Sequence, residues 1–256
     1  RRGPRCLPVS VGPEGVMASP TVLERARLLV EPAMVAAVDR LCVEMSLPLR
    51  YHFGWTEPDG SPSDAGSGKG LRPALAVLSA EAVGAPGSTA VPGAVATELV
   101  HNFSLVHDDI IDGDTIRRHR PTVWSTFGVE DAIISGDALH NLAYQVLLDD
   151  PTQQLVAAAT RLATATAAMI AGQAADMAFD DMTGIDLEAC LAMEADKTGA
   201  LLGYSASVGA VLAGAAGDHI DALEAYGREL GLAFQAVDDV LGIWGDPSVT
   251  GKAAGN

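Results

Sequence analysis

The segment Glu98-Leu-Val-His-Asn-Phe-Ser-Leu-Val-His-Asp-Asp-Ile-Ile-Asp112 joins an apolar run to a group of carboxylates. The run predicts a buried helix, and Asp108, Asp109 and Asp112 fall at its end. The i and i+4 spacing places Asp108 and Asp112 on one helical face, with Asp109 beside them. Because like charges this close repel each other, the pattern predicts a divalent cation that prefers oxygen ligands.

Cationic side chains follow this first carboxylate cluster. Arg117 and Arg118 come five and six residues after Asp112, and Arg120 follows them. Carboxylates that precede arginines at short range indicate a site for a metal together with a phosphate group.

A second carboxylate cluster lies in Phe234-Gln-Ala-Val-Asp-Asp-Val-Leu-Gly242. Asp238 and Asp239 again follow an apolar helical pattern, and Asp246 comes soon after. If the two helices face each other, both clusters meet at one end of a cavity. We expect them to hold about two or three Mg²⁺ ions there, with coordination positions left for a diphosphate.

The segment Gly68-Lys-Gly-Leu-Arg-Pro73 is a third candidate binding element. Lys69 and Arg72 lie three residues apart at a predicted helix start, where backbone N–H groups and two cations favour an anion. The glycine spacing does not match a P-loop.

Composition narrows the fold class and the partners. The 256 residues are 48% hydrophobic but only 5% aromatic, so the core is built from Ala, Leu and Val, which favours packed helices. The formal net charge of −17 argues against a nucleic-acid partner, since phosphate backbones would be repelled.

The spacing of the cysteines and the hydropathy of the chain indicate its cellular compartment and whether it spans a membrane. Cys6, Cys42 and Cys190 match no metal-ligand pattern and leave no fully paired disulfide set, so we expect reduced thiols in a cytoplasmic protein. The uncharged run 198–217 is rich in small residues, which predicts a buried helix and no membrane span.

The positions of Gly and Pro predict the remaining loops and the ends of the helices. Residues 1–20 are expected to be a flexible N-terminal segment, and loops are predicted at 51–68 and 117–128. No strands are expected. Helices are predicted at about 21–46, 71–83, 92–112, 131–148, 152–180, 186–214 and 218–243.

The ordered set of motifs resembles the trans-isoprenyl diphosphate synthases, or polyprenyl synthetases, from about residue 25 onward. The set comprises the two carboxylate clusters, the arginine pair, Gly68–Pro73, Gly172-Gln173 and Lys197-Thr198. The resemblance implies an all-α, single-domain bundle of about ten or more helices around a deep central cavity, spanning 21–256. It also implies a homodimer.

The resemblance further implies residue roles. Asp108 and Asp112, with Asp109 in support, would hold Mg²⁺ at an allylic diphosphate (dimethylallyl, geranyl or farnesyl). Arg117, Lys197 and Lys252 would contact that allylic diphosphate, and isopentenyl diphosphate would be held by Lys69, Arg72, His101 and Arg118. The reacting centre would be lined by Thr198, Gln173 and Gln235. Asp238, with Asp239 in support, would bind a further Mg²⁺.

Product length in this family depends on the residues before the first cluster. Phe103 lies five residues before Asp108, Ser104 lies four before, and no insertion interrupts the cluster. This combination resembles geranylgeranyl diphosphate synthases and predicts a C20 product.

Two features depart from the family pattern. Gly242 stands where a third aspartate is expected in the second cluster, and the sequence ends at Asn256, within the tail that follows this motif. We therefore expect a domain that is incomplete at its C-terminus.

Two alternative functions remain open at the level of sequence. A class I terpene cyclase would use the same metals to close rings, although it has no second diphosphate to bind. A catalytically weak regulatory or packaged partner subunit would explain Gly242 and the N-terminal segment.

Overall fold

The structure is a computed structural model, and it describes residues 21–63, 65, 68, 70–179 and 182–244. In this part of the chain the fold is all-α, as predicted. Its helices are α1 (Thr21–Val38), α2 (Val43–His52), α3 (Leu71–Ala82), α4 (Val91–Ile111), α5 (Val123–Phe127), α6 (Val129–Leu148), α7 (Gln153–Phe179), α8 (Leu187–Glu194), α9 (Ala200–Leu212) and α10 (Gly217–Trp244). A 3-10 turn at Gly87–Ala90 precedes α4, and a π-helical segment, Ala195–Gly199, joins α8 to α9. The predicted flexible segment 1–20 and the candidate residues Lys69, Asp246 and Lys252 lie outside the described residues.

The prediction of one helix from about 21 to 46 is wrong. The α1 helix passes through Pro32, and the chain turns after Val38 before α2 begins beyond Cys42. Val38 and Leu49, both fully buried, belong to the same hydrophobic core cluster. No Gly or Pro marks the turn in the sequence, so tertiary burial and not a local breaker accounts for it.

The α4 helix is the centre of the bundle and packs on α3, α6 and α9. Val95, Leu99, Asn102 and Val106 recur at helical spacing along its buried face. Asp109 occupies the next position of the same face and is 1% exposed. The face that packs in the core therefore ends in a carboxylate.

The prediction of a structureless loop at 117–128, without strands, is also wrong. Ile116–Arg117 (β1) pairs antiparallel with Arg120–Pro121 (β2), and α5 follows at once. Strands of two residues each are too short to show the alternation by which strands are recognised.

Glycines bring α10 unusually close to the π-helical segment and α9. A Cβ on Gly231 would lie 2.7 Å from the Cα of Gly199, and one on Gly227 would lie 2.8 Å from the Cα of Gly203. Such contacts leave no room for a side chain. This close approach fixes the position of Gln235, one turn after Gly231, relative to Thr198.

The predicted buried helix in the run 198–217 is confirmed, since every residue of α9 from Ala200 to Val211 is buried. Among the described helices, α7 alone is long and apolar enough to cross a membrane, with 39% of its most apolar window buried. A core helix of a bundle meets the same criteria, and α7 buries Leu162 and Met169 against the rest of the fold.

Candidate active site

The three carboxylates of the first cluster divide between two faces of α4. Asp109 lies on the core side, where Arg117 Nε donates a 2.7 Å hydrogen bond to its Oδ1. The Oδ2 atom of Asp109 is buried and has no hydrogen-bond partner among the described residues. Asp109 is thus tied to the arginine pair, whereas Asp108 and Asp112 face the other way.

Asp108 and Asp112 are both carboxylates with raised pKa values. Burial raises the pKa of Asp108 to about 6; neighbouring Asp112 and Asp109 add to the rise, and Lys197 and Arg117 oppose it. Burial likewise raises the pKa of Asp112, with Asp114 and Asp176 as like-charged neighbours. Both carboxylates also lie at a helix C-terminus, whose dipole disfavours negative charge. This end of α4 would be stabilised by additional positive charge.

The nearest cation to this pair is Lys197, on the π-helical segment. Its Nζ donates a 2.5 Å hydrogen bond to Asp176 Oδ2 on α7. Asp176 was missed by the sequence reasoning, although Gln173 was named. The i and i+3 spacing of Gln173 and Asp176 puts both on one helical face, and that spacing is the signal that could have identified the aspartate.

Gly172 determines how closely α7 approaches Lys197. A Cβ at this position would lie 2.3 Å from the Lys197 backbone nitrogen and 2.7 Å from its Cα. Next to it, Gln173 Oε1 is buried without a hydrogen-bond partner among the described residues. π-helical turns inside α-helices are frequent at functional sites, and this one directs Lys197 and Thr198 toward α7 and α10.

A hydrogen-bond network links the second cluster to the π-helical segment. Thr198 Oγ1 donates to Gln235 Oε1 at 3.1 Å, and Gln235 Nε2 donates to Asp239 Oδ1 at 2.9 Å. Asp239 also approaches Glu194, which is 7% exposed and was missed by the sequence reasoning. Burial, together with the Asp239 carboxylate, raises the pKa of Glu194.

Asp238 is exposed and does not belong to this network. Within the described residues, no three His, Cys, Asp or Glu side chains converge as a preformed metal site. Asp238 and Asp239 lie on different faces of α10, because adjacent helical positions are about 100° apart.

Of the predicted anion site, the described residues include Arg72, which is half-buried and lies near Arg118 and Glu98. Burial lowers the pKa of the Arg72 guanidinium, and the Glu98 carboxylate nearby offsets part of this effect. The Nε atom of Arg72 is buried without a hydrogen-bond partner in the described structure. Arg118 lies against the backbone of Gly68, since a Cβ there would meet its Nη2 atom at 2.9 Å.

Two histidines complete the cationic site. Burial, with Arg72 and Arg118 nearby, holds the pKa of His101 well below its usual value. His52, which sequence reasoning missed, has a pKa lowered to about 3 by burial and by Arg118. Its Nε2 lies 3.0 Å from Asn102 Oδ1. Both rings are therefore neutral near pH 7 and contribute hydrogen bonds and not charge.

These features define an α-helical protein with a group of carboxylates at the end of α4 and a group of cationic side chains around Arg72 and Arg118. The family model described as polyprenyl synthetase matches residues 63–256. The chain belongs to the polyprenyl synthetase family.

Individual relatives agree with this membership. A (2E,6E)-farnesyl diphosphate synthase of Mycobacterium tuberculosis is 51% identical over 231 residues, which cover 90% of this chain and 64% of that protein. A geranylgeranyl diphosphate synthase of the same species is 44% identical over 92% of this chain and 67% of its own length. The chain thus spans a little under two thirds of the farnesyl diphosphate synthase that it matches.

Solved structures show the same fold. The polyprenyl synthetase of Streptomyces coelicolor superposes with a TM-score of 0.88 at 54% identity, over 93% of this chain and 70% of that one. A geranylgeranyl pyrophosphate synthetase of Pyrococcus horikoshii gives a TM-score of 0.80 at 32% identity, over 92% and 70% of the two chains.

Proposed function

We propose that this protein is a prenyltransferase that joins isopentenyl diphosphate to an allylic diphosphate. The observation that carries the proposal is that one group of side chains is anionic and the other is cationic. Asp108 and Asp112 place two carboxylates on one helical face, whereas Arg72 and Arg118 lie close together and the Arg72 Nε donor is buried without a partner among the described residues. A metal-bound diphosphate suits the first site, and a free diphosphate suits the second.

The proposed roles are those that the family resemblance implies. Lys197 and Arg117 contact the allylic diphosphate, His101 assists Arg72 and Arg118 at isopentenyl diphosphate, and Thr198, Gln173 and Gln235 line the reacting centre. Asp176 joins this set because its carboxylate orients Lys197. Lys69 and Lys252 are proposed to contact the two diphosphates from positions outside the described residues.

The donor set at the first cluster fits Mg²⁺. Asp108 and Asp112 provide hard oxygen ligands on one face, and burial, which raises the pKa of both, makes their ionised forms costly unless a cation neutralises them. Asp238 is proposed as a further ligand, with Asp239 held in place by Gln235. When bound, Mg²⁺ would neutralise the charge that develops on the leaving diphosphate.

The chain's own residues then direct the reaction. Lys197 and Arg117 stabilise the departing diphosphate, which takes both electrons of the allylic C–O bond. The isopentenyl double bond attacks the resulting carbocation, and a proton passes to the departing diphosphate. The surrounding apolar helices exclude water, which would otherwise capture the cation.

We propose a C20 product because Phe103, five residues before Asp108, belongs to an aromatic cluster. The Phe103 ring lies 5.0 Å from both His107 and His140, and His140 lies 5.2 Å from Tyr144. Ser104, the adjacent small residue, donates its hydroxyl to the His101 carbonyl at 2.9 Å. A ring supported from α6 can limit the chain at intermediate depth.

Phe103→Ala is expected to lengthen the product by roughly one or more five-carbon units, because removing the ring leaves a void that the substrate can enter. Ser104→Phe is the matched control and should shorten it. Chromatography of the dephosphorylated products measures both changes. Unchanged lengths in both variants would remove these residues from the floor of the cavity.

Magnesium affinity is expected to depend on pH through Asp108. Its pKa of about 6 exceeds that of the unfolded chain, so the metal-free fold binds more protons and loses stability as pH rises from about 4 to 6. Mg²⁺ requires the carboxylate, so its affinity should fall roughly tenfold per pH unit below pH 6. Calorimetric titration with MgCl₂ from pH 5 to 8 tests this. Asp108→Asn should flatten the profile, and a flat wild-type profile would contradict it.

Product analysis tests the function itself. The protein is incubated with Mg²⁺, isopentenyl diphosphate and each allylic diphosphate of five, ten or fifteen carbons. Longer diphosphates support the proposal, and their absence with all three primers would refute it. The relatives named above are diphosphate synthases, so the comparisons do not support the cyclase alternative. A weak partner subunit would show no turnover alone and recover it with a second chain.

A further inference from the structure

The hairpin that carries Arg117 and Arg118 has little stability of its own. Its two strands contain two residues each, and an isolated short hairpin is marginal in water. Arg118 and His119, at its turn, have φ values of 51° and 63°. Side chains with a Cβ disfavour this left-handed region. Contacts outside the hairpin must therefore hold it in this conformation.

Core packing does not supply all of this support. Residues 117–121 line a cavity of about 270 Å³ together with Tyr51, His52 and Asp109. Because the space behind the hairpin is not filled by side chains, the hairpin can shift toward it at small steric cost.

Arg120 supplies the external support. Its Nη2 atom donates to the Thr56 carbonyl at 3.0 Å and to Glu57 Oε2 at 3.1 Å. The guanidinium carbon also lies 4.3 Å from the centre of the Tyr51 ring. Tyr51 in turn donates its hydroxyl to the Pro121 carbonyl at 2.8 Å. One arginine and one tyrosine thus join the second strand to α2 and the loop that follows it.

The loop that receives Arg120 is itself ordered. Thr56 and Pro62 form a bridge, and the Glu57 backbone N–H donates to the Ser61 carbonyl at 2.8 Å. The Ser63 hydroxyl donates to the other oxygen of Glu57 at 2.5 Å. The Glu57 carboxylate is therefore already oriented to accept from Arg120, so little conformational entropy is lost in forming the pair.

We propose that Arg120, held by Glu57, Thr56 and Tyr51, is a positioning residue for the two diphosphate-binding arginines. Arg120 pairs directly with Arg117 across the hairpin, so a shift of one strand moves the other. Arg117 must reach Asp109, and Arg118 must lie against Gly68, for both to face their diphosphates. This inference rests on the proposed function, because it assigns Arg117 and Arg118 to diphosphates.

The test compares Arg120→Lys and Glu57→Gln with Arg25→Lys in the full chain. The control substitution lies in a bidentate Arg25–Glu81 pair between α1 and α3, with hydrogen bonds of 2.7 and 2.8 Å. Lysine keeps the positive charge but lacks the planar guanidinium group, which donates several hydrogen bonds at once and stacks on aromatic rings. We expect Arg120→Lys to raise both KM values, and the Kd for inorganic diphosphate, by about tenfold with kcat changed less than about threefold. The unfolding midpoint should match that of the control.

The double variant distinguishes a positioning role from a general loss of stability. If Arg120 acts through Glu57, then Arg120→Lys/Glu57→Gln should be no worse than Arg120→Lys alone. Unchanged KM and Kd in Arg120→Lys would overturn the inference, as would a loss of kcat alone. If Arg120→Lys does not fold, Tyr51→Phe removes the bond to the Pro121 carbonyl and a long 3.5 Å bond from Thr126, and it keeps the ring under Arg120. A normal diphosphate Kd in that variant would also overturn the inference. If the wild-type protein neither binds diphosphate nor elongates, the proposed function itself fails.

Discussion

Asp108→Asn is expected to lower kcat/KM by about 10³-fold, because it removes a charged ligand from the site that would hold Mg²⁺ at the leaving diphosphate. The side chain keeps its shape, so folding should be preserved. Removal of the raised pKa at this position should even stabilise the metal-free protein slightly near pH 7.

Steady-state kinetics at saturating Mg²⁺ measure the effect of Asp108→Asn. Asp131→Asn is the matched control, since that aspartate is exposed in the first turn of α6. The control should retain activity within about twofold. Activity of Asp108→Asn close to wild type would show that the metal is held elsewhere.

Gly172→Ala is expected to lower kcat/KM by about 10²-fold or more, because displacements near 1 Å in a site of this kind carry such a cost. The new Cβ would lie 2.3 Å from the Lys197 backbone nitrogen, and backbone atoms cannot rotate away as a flexible side chain can. The π-helical segment must move, and Lys197 and Thr198 move with it. Stability should fall as well, by about 1–3 kcal/mol.

Gly217→Ala provides the control for Gly172→Ala, since a Cβ on Gly217 meets nothing within 4 Å. Kinetics and thermal unfolding should be measured on both variants. Expressed as free energies, the loss in kcat/KM should exceed the loss in folding stability for Gly172→Ala but not for Gly217→Ala. Wild-type kinetics with a lowered unfolding midpoint would mean that Gly172 serves packing alone.

The sequence predicted the helices better than it predicted the connections between them. Helical periodicity places α4, α6, α7 and α10 close to their observed bounds, because each has a long apolar face. The turn between α1 and α2 and the β1–β2 hairpin were missed. Both depend on contacts made far along the chain, such as Arg120 with Thr56, and short segments contain too few residues to show a period.

The candidate residues divide in the same way. Asp108, Arg72 and Lys197 could be proposed from the sequence because charged residues are conspicuous in or beside apolar helices. Asp176, Glu194 and His52 were missed because each matters only through a neighbour on another element. Asp109 is an intermediate case: the spacing of Val95, Leu99, Asn102 and Val106 already places it on the buried face of α4.

The sequence by itself determined the fold class, the family resemblance and the presence of two carboxylate clusters, since these depend on local composition, periodicity and motif order. Only the tertiary structure decided which carboxylates face each other. It turns Asp109 toward Arg117, places Asp239 beside Glu194, and leaves Asp238 exposed. The physical reason is helix packing: glycines such as Gly172 and Gly231 set how closely helices approach, and that distance selects the partners of each side chain.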